Sequence, residues 1–360
     1  MFGEMLQRLR VVLALVLAVP ALAVTAAPNA PASPVEYKIV TASERGTYIQ
    51  IGRDLAKWIA PQAGIKLEVL PSAGSAENVR RLRYEPGVKL AMVQSDVYQA
   101  FLDQAAAGNA EAGDMIRPLR VVMPLYNEEI YFVVRADSPL NYVHEIRGAR
   151  INTGPLGSGT ALTTTTLYRL MFGEPIADAN ATFLSNEDAL AKLVTDKSVD
   201  VVAIIAGQPA KLLTDMKPES RHYIKLLRFD GKHATARAAL QTYFPATVLA
   251  ANYPNLLSED LPALAVRAYL VTYDYNLPDT RAHLSQLVRA MCRGYSQLQA
   301  SGHPKWHEVE LAMPGLGKGW RYYTPTANEI RACMASNATS AAVVRRSCTQ
   351  QERVLGLCGT

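Results

Sequence analysis

The chain has 360 residues, 49% of them hydrophobic and 19% charged, with a formal net charge of +5. That length accommodates two domains of ordinary size, and the composition supplies a sizeable core and excludes global disorder. The positive balance is mild and dispersed, which argues against nucleic acid as a partner.

Residues 1–26 read as a secretory signal peptide. Arg8 and Arg10 form its basic region, residues 11–19 its apolar core, and Ala21-Leu-Ala23 and Val24-Thr-Ala26 offer small-residue cleavage sites. Pro20 interrupts the apolar run, which is shorter than the roughly 20 residues of a spanning helix. The expected mature protein is therefore exported to the periplasm and soluble after cleavage. A Pro/Ala linker covers residues 27–35.

Residues 37–41 alternate like a first strand. Gly46-Thr47 then opens a helix with Ile51, Leu55, Trp58 and Ile59 on its apolar face. A second strand is expected over 67–70. The next helix is capped by Ser75 and carries Glu77 in its first turn, where the dipole favours an acid. A strand over 90–93 precedes a helix over about 96–107. Two further strands, 121–125 and 130–134, flank Tyr126-Asn-Glu-Glu129.

A second unit repeats the design. It has a strand over 150–153, a helix from Ser158 to Phe172 stopped by Gly173, and a capping-box-like start at Ser185-Asn-Glu-Asp188. Residues 199–205 are a near-continuous apolar run of the kind buried in a parallel sheet, and Gly207-Gln-Pro209 breaks it to start another helix. A strand over 223–227 and a mixed strand region over 243–251 follow. Helical patterns are expected over 259–275 and 280–298.

Strand, helix and strand in this order predict an α/β protein of two lobes, each a mainly parallel sheet flanked by helices, with a ligand cleft between them at the strand C-terminal ends. The expected first lobe is discontinuous, 36–133 and 245–330. The second covers 134–244, and 331–360 is a Cys-containing C-terminal tail.

Four turns carry the candidate binding chemistry. A strand that ends at a helix start exposes free N–H groups at the positive end of the helix dipole, which suits a small anion. The first turn offers Arg45, Thr47 and Tyr48. The second, Pro71-Ser-Ala-Gly-Ser-Ala-Glu-Asn78, offers Ser72, Gly74, Ser75 and Asn78, the last also able to brace the turn. The third offers Gln94 and Asp96, where the carboxylate either meets a ligand ammonium or caps the following helix. The fourth, Gly154-Pro-Leu-Gly-Ser-Gly-Thr160, offers Ser158, Gly159 and Thr160. It has Thr160 where a phosphate loop needs lysine, which removes a nucleotide triphosphate site. Arg135 is a further basic candidate. Tyr126, Asn127 and Glu128 near the lobe crossing, and Gln208 after the second-lobe strand, are secondary candidates.

Cys292, Cys333, Cys348 and Cys358 lie in the last fifth of the chain, and two disulfides in any of three connectivities are open. They lack the close spacing of a zinc site. His303-Pro-Lys-Trp-His307 reads as a surface turn, because Pro304 disfavours the helix that would align the two imidazoles. No metal, cofactor or catalytic residue is expected, since no nucleophile elbow or nucleophile–base pair is visible.

The four turns, in this order and spacing, resemble the TAXI family, the extracytoplasmic solute-binding subunits of TRAP transporters. The resemblance covers roughly residues 36–330. It implies a type II periplasmic-binding fold that closes on a small ligand, often glutamate-like or a dicarboxylate, and delivers it to a sodium-coupled membrane permease. The expected function is thus a solute receptor for a small organic anion or amino acid. The alternative is a periplasmic sensor or interaction protein acting through the C-terminal tail. Two features depart from the family pattern: the bulkier, charged first turn Ala42-Ser-Glu-Arg-Gly46, and the tail after residue 330.

Overall fold

The computed structural model describes residues 33–317 and 319–344. The signal peptide, most of the linker, Cys348 and Cys358 lie outside the described residues. No helix among those described is long and apolar enough to cross a membrane.

The first part of the chain alternates as its pattern predicts. Strand β1 (Val35–Val40) leads into helix α1 (Thr47–Asp54), which continues through a π-helical turn, Leu55–Ile59, and a 3-10 turn, Ala60–Ala63. Strand β2 (Ile65–Leu70) leads into α2 (Ser75–Tyr84), and β3 (Val88–Gln94) into α3 (Val97–Ala106) and α4 (Ala110–Ile116). Ile51, Leu55 and Ile59 are fully buried against β1 and β2, as the helical spacing requires.

Strand β4 (Leu119–Arg135) is one continuous strand of 17 residues, where the sequence suggested two strands and a turn. Its polar centre stays extended because it is paired with neighbouring strands and its buried carboxylates find partners, Glu128 accepting from Tyr48 and Glu129 from Gln208 and Lys305. Beyond it come β5 (Ile151–Asn152), α5 (Gly159–Phe172), β6 (Ala181–Thr182), α6 (Asn186–Val194) and β7 (Val201–Ala206). The helix α5 stops at Gly173, whose φ of 73° is left-handed. Short elements α7 (Lys211–Thr214), β8 (Ile224–Leu226), α8 (Ala236–Ala239) and β9 (Phe244–Val248) follow.

The helical pattern expected over 259–275 is instead strand β10 (Leu261–Tyr273). Its residues are mostly buried, and it is paired with β3, β4 and β9. A strand covered on both faces reads as a continuous apolar run, which periodicity cannot tell from a buried helix. The last helices among the described residues are α9 (Pro278–Ser301) and α10 (Thr324–Val344), joined by a Cys292–Cys333 disulfide.

The strands form one sheet in the order β2-β1-β3-β10-β4-β7-β5-β6, with β8 on β4 and β9 on β10. Parallel pairs dominate its two ends, but β4 and β10 run antiparallel to each other and to their neighbours β7 and β3. The sheet is therefore mixed.

The core divides in two. Val121 to Tyr126 on β4, and Ala268 to Val271 on β10, pack with the first group of helices. Ile130 to Val134, and Leu261 to Val266, pack with the second. This is a two-lobed α/β fold whose lobes share two central strands. Tyr243, Val248, Tyr253 and Leu261 belong to the second core, so the chain returns to the first only at Ala268, later than the expected residue 245. The β9–β10 ladder holds residues 244–265 on that side.

Candidate functional site

Three of the strand-to-helix turns meet. The N-termini of α1, α2 and α5, capped by Gly46, Gly74 and Ser158, border one cavity of about 180 Å³. Of the residues singled out in the sequence, Arg45, Thr47, Tyr48, Ser72, Gly74, Ser75, Gln94, Ser158, Gly159 and Thr160 line it.

The turns owe their shape to small residues. Gly74 has φ 125° and ψ −155°, a conformation that side chains disfavour, and a Cβ there would lie 3.3 Å from the Gly159 nitrogen. Gly159 has an ordinary backbone, but a Cβ on it would lie 1.8 Å from Gln94 Oε1 and 2.6 Å from Ser75 Oγ. Ser158 Oγ accepts from the Ala161 N–H, a normal helix cap. Ser75 is not a cap. It is the first residue of α2, and its Oγ accepts from Gln94 N (3.0 Å) and donates to Gln94 Oε1 (3.4 Å).

The lobes are clasped across this cavity. Glu77 N donates to Gly157 O at 3.1 Å, and Thr47 Oγ1 donates to Gly207 O at 3.0 Å. At the mouth, Arg45 meets Asp215 at 2.9 Å and Glu187 at 3.9 Å. Arg45 is thus partnered by acids of the opposite lobe, and Lys211, also on the lining, pairs with the same Asp215.

Glu128 comes from the shared strand β4. It is 4% exposed, lines the cavity, and accepts from Tyr48 OH at 2.6 Å through Oε2. Burial pushes its pKa up to about 8; the Tyr48 hydroxyl opposes this and the Glu129 charge adds to it. The lining also includes Ser185, Asn186, Glu187, Ile204, Ile205, Ala206, Ala210 and Leu212 from the second lobe. The capping motif at Ser185 was the local signal for part of this wall. The rest is the apolar end of β7 and the start of α7, where Lys211 is the one charged residue.

Other candidates sit elsewhere. Asn78 is fully buried and braces the sheet, its Nδ2 donating to Thr41 O and Met92 O and its Oδ1 accepting from Ser72 Oγ at 2.6 Å. Asn127 faces a different cavity beside Arg267 and Glu310. Gln208 Nε2 donates to Glu129 Oε1 and Thr247 O, and its backbone N–H to Glu129 Oε2. Arg135 lies at the end of β4 with Asp200 3.6 Å away.

Asp96 neither lines the cavity nor caps α3 with its side chain. Its Oδ2 accepts from Thr163 Oγ1 at 2.6 Å and Tyr243 OH at 3.1 Å, both in the second lobe. Burial raises its pKa from 3.8 to about 6 against these hydrogen bonds. Its contribution to stability is full below about pH 4 and is lost as the pH rises through about 6. That shift corresponds to about 3 kcal/mol. Asp96→Asn should remove it, so urea unfolding should show the variant gaining on the wild type by roughly that amount between pH 4 and pH 7.5. A constant difference across that range would contradict the assignment.

The 303–307 segment is not a surface turn. Lys305 and Trp306 are fully buried within the 3-10 turn Pro304–His307. Lys305 Nζ donates to Glu129 Oε1 at 3.1 Å and to Glu308 at 2.7 Å, which ties the C-terminal part of the first lobe to the strand crossing. Trp306 Nε1 donates to Asp54 Oδ2 at 2.8 Å. No group of three metal-ligating side chains occurs among the described residues.

A sequence profile described as the NMT1-like family matches residues 39–313. Among solved structures, the chain is similar to the periplasmic binding protein BugD at 13% identity, over 87% of this chain and 99% of that one, with a TM-score of 0.48. It is similar to XAC2383 from Xanthomonas citri bound to ATP at 14% identity, over 83% and 98%, with a TM-score of 0.45. The effector-binding domain of QuiR in complex with shikimate matches at 11% identity, over 71% and 97%, with a TM-score of 0.42.

Proposed function

The chain belongs to the NMT1-like family, and from that premise we propose that it is a periplasmic solute receptor whose lobes close on a small organic anion or amino acid, glutamate-like or a dicarboxylate. The observation that carries this reading is the convergence of three helix N-termini, two from the first lobe and one from the second, on one cavity. Free N–H groups at the positive ends of three dipoles stabilise an anion without a buried cation. Because the donors come from both lobes, a bound anion favours the clasped arrangement over an open one.

The hydroxyls nearby support binding over reaction. Ser75 Oγ is committed to Gln94 and Ser158 Oγ to Ala161 N, so neither is poised as a nucleophile beside a base. The ordered turns that resemble TAXI subunits support a TRAP-type permease as the receiver of the ligand. The basic and apolar segments of residues 1–26 support export.

A thermal-shift panel of dicarboxylates and amino acids tests the reading. A true ligand at a hundredfold excess over its Kd should stabilise the folded protein by about 2.7 kcal/mol. A folded protein that no member of the panel stabilises would sink it.

A further inference from the structure

Inside the cavity, the polar groups are unevenly matched. Glu128 Oε2 is taken by Tyr48 OH, while its other oxygen, Oε1, has no protein partner among the described residues. Gln94 is equally buried, at 4% exposed, and its Nε2 also lacks a protein partner. Two buried side chains therefore present unpaired polar atoms where three helix N-termini converge. Both atoms are reachable from the cavity, where a ligand or water completes them.

We propose that the cavity selects small carboxylates that lack an amino group, with the carboxyl of Glu128 donating its proton from Oε1 to a ligand oxygen and Gln94 Nε2 donating beside it. This rests on the receptor reading above. Helix ends and two neutral donors make a site for oxyanions; among the described residues, the one buried, unpaired acceptor of the lining is the neutral Asn186 Oδ1, so a strong ammonium site there would need an ionised carboxylate as well. The lining offers two carboxyls. Glu187 stands at the mouth, half exposed and beside Arg45. Glu128 lies among groups that hold it protonated at neutral pH.

The titratable groups packed on it act in both directions, with burial the largest influence. Tyr48 of α1 donates to Oε2, which leaves the proton to Oε1. Glu129 and Asp96 are acids that oppose its ionisation, and burial opposes it most. Tyr126 lies close enough to be affected by the Glu128, Glu129 and Glu308 charges. Lys305 is the opposing cation, but its ammonium is engaged by Glu129 Oε1 and both oxygens of Glu308. With its pKa pushed up to about 8, Glu128 is a donor through neutral pH.

The test is calorimetric titration of the full mature protein with two matched pairs, succinate against L-aspartate and 2-oxoglutarate against L-glutamate, from pH 6 to pH 9. The expected result is at least tenfold tighter binding of the amino-free member. Its affinity should be flat from about pH 6.5 to about pH 7.5 and fall about tenfold per unit above about pH 8, because the ligand binds the protonated site and its own carboxylates are essentially ionised over that span. Glu128→Gln keeps a donor that does not titrate, so that fall should vanish. Tighter binding of the amino acids, with affinity rising through pH 8, would make Glu128 an ammonium partner and overturn the inference while leaving the receptor intact. A fall in affinity that persists in Glu128→Gln would also overturn it. Failure of all four acids to bind folded protein would overturn both the inference and the receptor reading beneath it.

Discussion

Gly159→Ala is expected to weaken ligand binding by about 5- to 150-fold while leaving the protein folded. The added Cβ would fall 1.8 Å from Gln94 Oε1 and 2.6 Å from Ser75 Oγ, which belong to the opposite lobe. Gln94 is buried and can yield only by turning into the cavity or by letting the lobes part. Either response acts on the clasped state alone, so the overpacking cost of roughly 1–3 kcal/mol appears as lost affinity. The second lobe itself has little to lose, since Gly159 begins α5 with an ordinary backbone and alanine is the better helix former. Titration with a ligand from the panel, alongside small-angle scattering of the ligand-saturated protein, measures both effects. Wild-type affinity with wild-type compaction would show that the two lobes do not close against each other here.

Lys305→Met is expected to cost about 3–5 kcal/mol of stability at neutral pH. Removing one member of a buried ion pair strands the other, and Glu129 is nearly as buried as Lys305 itself. Glu129 already has a raised pKa from burial, with the Lys305 charge the main opposing influence. Once that charge is gone, the carboxyl ionises at still higher pH. The stability of the variant is then fully present below the unfolded carboxyl pKa and is lost as pH rises through the folded one, so its deficit against the wild type should grow with pH. Urea unfolding at pH 5 and pH 8 reads this directly. A deficit that is the same at both values, or under about 1 kcal/mol, would mean that Glu129 does not depend on the lysine.

What was legible in the sequence is what is built locally. Gly46, Gly74 and Ser158 each sit between an apolar run and a helical pattern, and the strand-turn-helix geometry they encode places all three at one cavity. The stop of α5 at Gly173 is local in the same way. What was hidden depends on distant partners. Asp96 looks like a cap or a ligand acid until Thr163 and Tyr243, 67 and 147 residues away, arrive to hold it. Lys305 sits in a segment with Pro304 and two histidines that reads as surface, and only Glu129, 176 residues earlier, makes its burial tolerable. Strand β10 reads as a helix in sequence because burial on both faces erases alternation, and β4 reads as two strands because three polar residues in a row resemble a turn.

The two shared strands limit how this molecule can be dissected. A cut anywhere between residues 136 and 260 leaves β4 in one fragment and β10 in the other. Each piece would then own half of two hydrophobic cores and expose the open edge of its long strand, the kind of surface that pairs with whatever it meets. Neither lobe is therefore a candidate for separate expression, shuffling or fusion. The heritable unit is the whole clasp, and variation in ligand preference enters through single residues of the cavity lining, not through exchange of its halves.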